Sequence, residues 1–100
     1  MAIDFVNKFE AAYGPKSRNQ FAGHAYDFQV AMEKAIPLAL KKAKPGTPEF
    51  RAAMRDAIEQ LKGFVGTEGV YNMSPQDHNG VDERSQVMIK IENGKWVYQP

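Results

Sequence analysis

The chain of 100 residues contains no cysteine, which excludes disulfides, zinc–thiolate sites and thiol chemistry. An excess of one charge is also absent, because 13 Lys and Arg residues face 12 Asp and Glu residues, for a net charge of +1. With the two signs interspersed along the chain, there is no electrostatic footprint for nucleic acid or for an anionic membrane. No phosphate-binding glycine loop and no nucleophile motif occurs, and no cofactor is expected.

Long apolar runs are missing as well. No stretch approaches the roughly 18 residues that a membrane span needs, and the start, Met1-Ala2-Ile3-Asp4, has neither the basic nor the apolar region of a signal peptide. We therefore expect a soluble chain without an export signal. Its content of 43% apolar and 25% charged residues allows one small core of marginal stability.

Helical spacing dominates the first two thirds of the chain. Asp4 is predicted to cap a first helix, which the Gly14 and Pro15 pair ends. A second helix is predicted to begin at residues 21–23 and to run to about Lys42. Pro37 lies inside that pattern and removes a helical hydrogen bond, so the second helix should be kinked there or broken in two.

A third helix is the most strongly signalled element. Thr47 has the character of an N-cap, Pro48 suits the first helical position, and Gly63 is a natural exit. One face of this helix carries its large apolar residues. They are Phe50, Met54, Ile58 and Leu61.

From Gly66 onward the pattern favours strands. Residues 70–73 predict a short strand, residues 74–80 a loop, and residues 87–92 a half-buried strand. Asn93 and Gly94 predict a two-residue type I′ hairpin turn. That turn would pair Glu92 with Lys95, Ile91 with Trp96 and Ile89 with Tyr98.

These elements predict an α+β fold, with three helices followed by a short strand and a C-terminal β-hairpin. The chain is interpreted as one unit, residues 1–100. It divides into a helical part, residues 1–66, and a part made of strand, loop and hairpin, residues 67–100.

Four motifs in this order resemble a known family. They are Phe-Glu-Ala-Ala-Tyr-Gly-Pro at residues 9–15, Phe-Ala-Gly-His-Ala-Tyr-Asp at residues 21–27, the helix of residues 50–61, and the glycine-led strand with its Asp-His-Asn-Gly turn at residues 69–80. Together with the final hairpin they resemble the C-terminal portion of solute-binding proteins of branched-chain amino acid type ABC transporters, which have the type I periplasmic-binding-protein fold.

The resemblance implies a two-lobe α/β protein that closes around its ligand, with residues 87–92 as the last segment crossing between lobes. It also implies capture of a small solute, such as an amino acid, an amide or urea-like compound or an aromatic acid, for an ABC permease. The location would be the periplasm or cell envelope, and the protein would not be an enzyme. The alternatives are a ligand-sensing regulator or receptor domain of the same fold, or a small self-associating module or enzyme of unrelated fold.

The same resemblance implies ligand-binding residues near the start of the second helix. Phe21 matches a position where relatives present an aromatic ring to the solute, and Gly23 and His24 lie on the segment that enters the helix. The amides of residues 22–24 could also hold a carboxylate, as exposed helix starts can. The alternative for His24 is a structural or solvated histidine.

Other residues have a functional and a structural interpretation. Asp77 and His78 could form a metal or acid–base pair, although turn chemistry and local hydrogen bonds are the simpler interpretation. Trp96 and Tyr98 could stack on bases or sugars, but packing in a core or against a lobe is favoured. Because the helix faces and strand edges would lack partners in so short a chain, a homodimer formed by helix faces or strand exchange is expected.

Overall fold

The structure of the chain is a computed structural model that describes residues 1–100. Three helices come first and four short strands follow, as the α+β prediction required. The helices are α1 (Ala2–Tyr13), α2 (Gln20–Leu40) and α3 (Pro48–Glu59), and the strands are β1 (Phe64–Val65), β2 (Val70–Tyr71), β3 (Met88–Glu92) and β4 (Lys95–Gln99). A 3₁₀ turn, Glu83–Ser85, precedes β3. None of the helices combines the length and apolarity that crossing a membrane requires.

Helix α1 begins earlier than predicted. Its N-cap is Met1, and Asp4 lies inside the first turn, where it pairs with Lys8 at 2.9 Å. The prediction of Asp4 as the cap is therefore wrong, because a carboxylate four residues before a lysine is satisfied within the helix. Gly14 ends α1 as predicted, with a positive φ of 100°.

Helix α2 differs from its prediction at both ends. It begins after Asn19, whose side-chain oxygen accepts a hydrogen bond from the Ala22 amide at 3.0 Å, and it ends at Leu40. Pro37 lies within one continuous helix, so of the two predicted outcomes, a kink or a break, the break does not occur. A proline removes a single amide, and a helix held by neighbouring packing tolerates that loss.

Helix α3 has the predicted start. The Thr47 hydroxyl accepts a hydrogen bond from the Phe50 amide at 3.2 Å, and Pro48 occupies the first turn. The helix ends at Glu59, so Gly63 lies beyond its C-cap, Gln60.

Small residues form the contact region of α2 and α3. The buried residues of α3 are Ala53 and Ala57, and α2 buries Ala35 and Ala39. The large residues of the predicted apolar face are only half-buried in α3, although Leu61 just beyond it is buried. Alanines four residues apart leave room for a neighbouring backbone, which allows the two helices to approach closely along this row.

A two-stranded hairpin follows α3. Phe64 of β1 pairs with Tyr71 of β2, and Val65 pairs with Val70. The two aromatic rings stack with centroids 4.6 Å apart. Strand β1 was not predicted and falls within the part described as helical, because two residues are too few to show an alternating pattern.

The second hairpin has the predicted register. Asn93 and Gly94 take positive φ values of 50° and 72°, as a type I′ turn requires. The pairs are Glu92 with Lys95, Ile91 with Trp96 and Ile89 with Tyr98. Burial does not follow the prediction, since every residue of β3 is exposed and Trp96 is 77% exposed. Nothing within residues 1–100 covers this face.

The chain as a whole is open. Its radius of gyration is 16.8 Å, whereas a compact domain of about 100 residues has roughly 13 Å. Only 10 of 100 residues are buried, and no large side chain among them is completely enclosed. A closed, self-sufficient core, which the unrelated-fold alternative needs, is not present.

The alanine contact makes a matched pair of substitutions informative. Ala53 is 5% exposed and the adjacent Ala52 is exposed. We expect Ala53→Leu to lower the free energy of unfolding by about 1 to 3 kcal/mol through overpacking. Ala52→Leu should change it by less than about 0.5 kcal/mol. Urea denaturation followed by circular dichroism measures both, and equal values for the two variants would contradict the packing described.

Candidate functional site

A buried carboxylate joins α2 to the first hairpin. Asp27 is 4% exposed, and its Oδ1 accepts a hydrogen bond from the Thr67 amide at 2.5 Å. Its Oδ2 accepts from the Glu68 amide at 3.1 Å and from the Tyr71 hydroxyl at 2.9 Å. Three donors on one carboxylate offset its loss of water and fix the turn between β1 and β2 against the helix.

Two glycines allow this close approach. A Cβ atom at Gly66 would lie 2.6 Å from the Asp27 carboxyl carbon and 2.7 Å from the Tyr71 ring. A Cβ atom at Gly23 would meet the Glu68 carboxylate and would lie 2.8 Å from the Thr67 hydroxyl. The first turn of α2 and the turn at residues 66–69 therefore pack with almost no space between them.

Tyr71 shows the electrostatic effect of this arrangement. Burial raises the pKa of the Tyr71 hydroxyl above its ordinary value, and the hydrogen bond to the Asp27 carboxylate raises the pKa further. Both effects disfavour a second negative charge at this place. The hydroxyl stays protonated and continues to donate its hydrogen bond.

Three clefts surround this junction. A cleft of about 270 Å³ lies between α1, the start of α2 and the turn, and Gly23 and Glu68 are part of its wall. A mainly apolar cleft of about 280 Å³ lies between α2, α3 and the first hairpin and includes His24 and Phe28. A more polar cleft of about 210 Å³ is lined by His24 and Glu68 among others.

The three predicted ligand-binding residues are close in sequence but do not line one cleft. Gly23 borders the first cleft, and His24 borders the other two. Phe21 lines none of these three and is 75% exposed. Within this chain the three residues belong to a surface around the start of α2. That they bind a ligand stays a prediction.

The helix start is already satisfied by the chain. The Ala22 amide donates to the Asn19 side chain at 3.0 Å, and the Gly23 amide donates to the Asn19 carbonyl at 3.4 Å. The suggestion that amides around residues 22–24 receive a carboxylate is therefore wrong for Ala22 and Gly23. The predicted start at residues 21–23 lies one to three residues after the observed start at Gln20, so the prediction does not include the cap at Asn19.

The Asp77 and His78 pair performs separate structural roles. Asp77 Oδ1 accepts hydrogen bonds from the Asn79 amide at 2.9 Å and the Gly80 amide at 3.0 Å, which confirms the turn interpretation. His78 instead pairs with Glu59 at 2.9 Å and so connects this loop to the end of α3. No group of three potential metal-binding side chains comes together.

Sequence reasoning missed Asp27, although a signal was present. Residues 23, 27, 31, 35 and 39 lie four apart, and all but Asp27 are glycine or alanine. A row of small residues marks the helix face that packs against a neighbour. A carboxylate in such a row is buried and needs specific hydrogen-bond partners. Its partners at Thr67 and Glu68 are about forty residues away and could not be read from local pattern.

Solved structures of larger proteins contain the same arrangement of elements. An extracellular ligand-binding receptor from Rhodopseudomonas palustris is 47% identical over 95% of this chain, with a TM-score of 0.82. A second such receptor, from strain HaA2 of that species, is 45% identical over 94%, with a TM-score of 0.81. The chain is similar to part of an extracellular ligand-binding receptor.

The similarity covers only a segment of those proteins. The chain spans 26% of the length of each of the two receptors and 27% of a third R. palustris protein, to which it is 42% identical with a TM-score of 0.83. Comparisons with models of known families and with curated proteins find no match. Similarity to only a segment of these receptors agrees with the open fold, in which few residues are buried.

The raised pKa of Tyr71 predicts a loss of stability in alkali. An unfolded tyrosine ionises near its ordinary value of 10.0, whereas the folded Tyr71 resists ionisation. Its contribution to folding is therefore complete below about pH 10 and is lost as the pH rises from the unfolded pKa toward the folded one. We expect the free energy of unfolding to fall more steeply above pH 10 in the unsubstituted chain than in Tyr71→Phe.

Urea denaturation between pH 8 and 11 measures this difference in slope. Tyr13→Phe is the matched control, because the Tyr13 ring is 72% exposed and its removal should leave the slope unchanged. If Tyr71→Phe kept the same slope as the unsubstituted chain, the described burial and hydrogen bond would be wrong.

Proposed function

We propose that this chain is the C-terminal portion of an extracytoplasmic solute-binding protein that delivers a small solute to an ABC importer. The observation that carries the proposal is the 45 to 47% identity with extracellular ligand-binding receptors across 94 to 95% of the chain. Identity at this level over a continuous segment indicates common descent and a shared local structure. The importer, its permease and the periplasmic location are inferred from the family resemblance.

The exposed apolar face of the β3–β4 hairpin supports the proposal that this chain is part of a larger protein. The second hairpin, formed by β3 and β4, presents four large apolar side chains on one face, all of them exposed. They are Ile89, Ile91, Trp96 and Tyr98. Because an unpaired apolar sheet face of this kind is unfavourable in water, we infer that the other three quarters of the receptor cover it.

The solute would be held between two lobes, one of which contains α2 and α3. In this proposal the first turn of α2 faces the solute, with the Phe21 ring as an apolar wall and with Gly23 and His24 beside it. The exposure of Phe21 supports this role, since 75% of this residue is accessible to solvent in the chain. The class of solute, whether an amino acid, an amide or urea-like compound or an aromatic acid, follows the family resemblance.

A chimeric receptor tests the function. The chain replaces the matching segment of the R. palustris receptor to which it is 47% identical, and calorimetric titration is performed with leucine, urea and 4-hydroxybenzoate. We expect the chimera to bind one of these probes and the isolated chain to bind none. Removing one wall of a two-lobe cleft loses about 4 kcal/mol or more, which weakens binding roughly a thousandfold.

Two phenylalanines on α2 distinguish the proposed site from the apolar cleft between α2 and α3. In the chimera, Phe21→Ala should weaken solute binding by about 1 to 3 kcal/mol, and Phe28→Ala should leave it nearly unchanged. If Phe28→Ala weakened binding and Phe21→Ala did not, the solute site would instead be the cleft that Phe28 lines. Micromolar binding by the isolated chain, or no binding by the chimera, would argue against the proposed function.

Without the rest of the receptor, the isolated chain should self-associate, as a homodimer through its exposed faces. Sedimentation across a hundredfold concentration range should show a monomer–dimer equilibrium, because pairing of two copies buries the apolar hairpin face. Trp96→Thr should shift the equilibrium toward the monomer, and Lys95→Thr, on the opposite face of the same hairpin, should not. A monomer throughout the range would contradict this expectation.

A further inference from the structure

The carboxylate of Asp27 connects two segments that both border the clefts around the start of α2. On the helix side, Gly23 and His24 precede Asp27 by four and three residues and so lie on the same face of α2. On the hairpin side, Asp27 holds the amides of Thr67 and Glu68. One side chain therefore determines how far the first helical turn stands from the turn at residues 66–69.

The side chain of Glu68 depends on this spacing. Its carboxylate lies in the space that a side chain at Gly23 would occupy, and Glu68 lines both the first and the third cleft. His24 lines the third cleft from the helix side. The relative placement of these polar side chains thus follows from the bond between Asp27 and the turn.

We propose that Asp27 is a positioning residue of the solute site, which locks the turn at residues 66–69 onto the start of α2 and thereby fixes Gly23, His24 and Glu68 relative to one another. The proposal rests on the proposed function, since a solute must use this surface. Asp27 does not touch the solute in this account. It acts by preorganisation, which lowers the free energy spent on ordering the site when the solute binds.

Aspartate is the residue that this position needs. Asparagine has the same shape, but its NH₂ group would face an N–H or O–H donor and leave that donor unsatisfied. Glutamate is longer by one methylene group, and the space beside the carboxyl group is already filled. Even a Cβ atom at Gly66 would lie 2.6 Å from the Asp27 carboxyl carbon. Asp27→Asn therefore removes the charge and one of the two acceptor oxygens with the smallest change in packing.

Hydrogen exchange of the chain measures the local effect. In Asp27→Asn one of the amides of Thr67 and Glu68 faces the NH₂ group and should exchange roughly ten- to a hundredfold faster, the range expected when a hydrogen bond to a buried charge is lost. The other amide keeps an uncharged acceptor and should exchange faster by a smaller factor. Amides in the middle of α3 should keep their rates. The matched control is Asp56→Asn, whose carboxylate is bound to the exposed Arg55. A uniform acceleration in all elements would show a purely structural role and would overturn the proposal.

Solute affinity of the chimeric receptor measures the consequence for function. At a temperature where both chimeras are fully folded, Asp27→Asn should weaken binding of the calorimetric probe roughly tenfold, and Asp56→Asn should not. Equal affinity of the Asp27→Asn and unsubstituted chimeras would overturn the positioning role while the receptor function stands. Absence of binding by the unsubstituted chimera would instead refute the receptor function, and the positioning role with it.

Discussion

The hydrogen bonds accepted by Asp27 are the constraint on which the arrangement of this chain depends. A buried carboxylate without partners would cost several kcal/mol of folding free energy, so its position is stable only where donors converge. Here two consecutive amides and the Tyr71 hydroxyl supply them. Tyr71 in turn stacks on Phe64 and bridges to Val81. Helix α2 and the first hairpin are thus joined through one polar centre.

Few large apolar side chains are buried in this chain. The buried apolar residues of α2 and α3 are alanines, and the largest aromatic side chain, Trp96, is exposed. A chain that buries so little apolar surface has a marginal free energy of unfolding. This is understandable for a segment whose relatives are about four times longer, because the remaining elements of those proteins would supply the missing contacts.

Local signals in the sequence were sufficient for several elements. The cap formed by Thr47 and the turn formed by Asn93 and Gly94 involve neighbours in the chain, so residue type alone predicts them. Strand β1 could not be predicted, because its two residues are defined by pairing with β2. The role of Asp27 also escaped prediction, since its donors lie about forty residues away. The half-burial predicted for the second hairpin rested on alternation of apolar and polar residues, which does not reveal whether a covering element is present.

The central claim is that the chain is one segment of a larger receptor, and complementation tests it most directly. The R. palustris receptor that is 47% identical is prepared without its matching segment and mixed with this chain, and sedimentation velocity records the species formed. The account predicts a single complex with one copy of each partner. Separate sedimentation of the two components at all concentrations would contradict it.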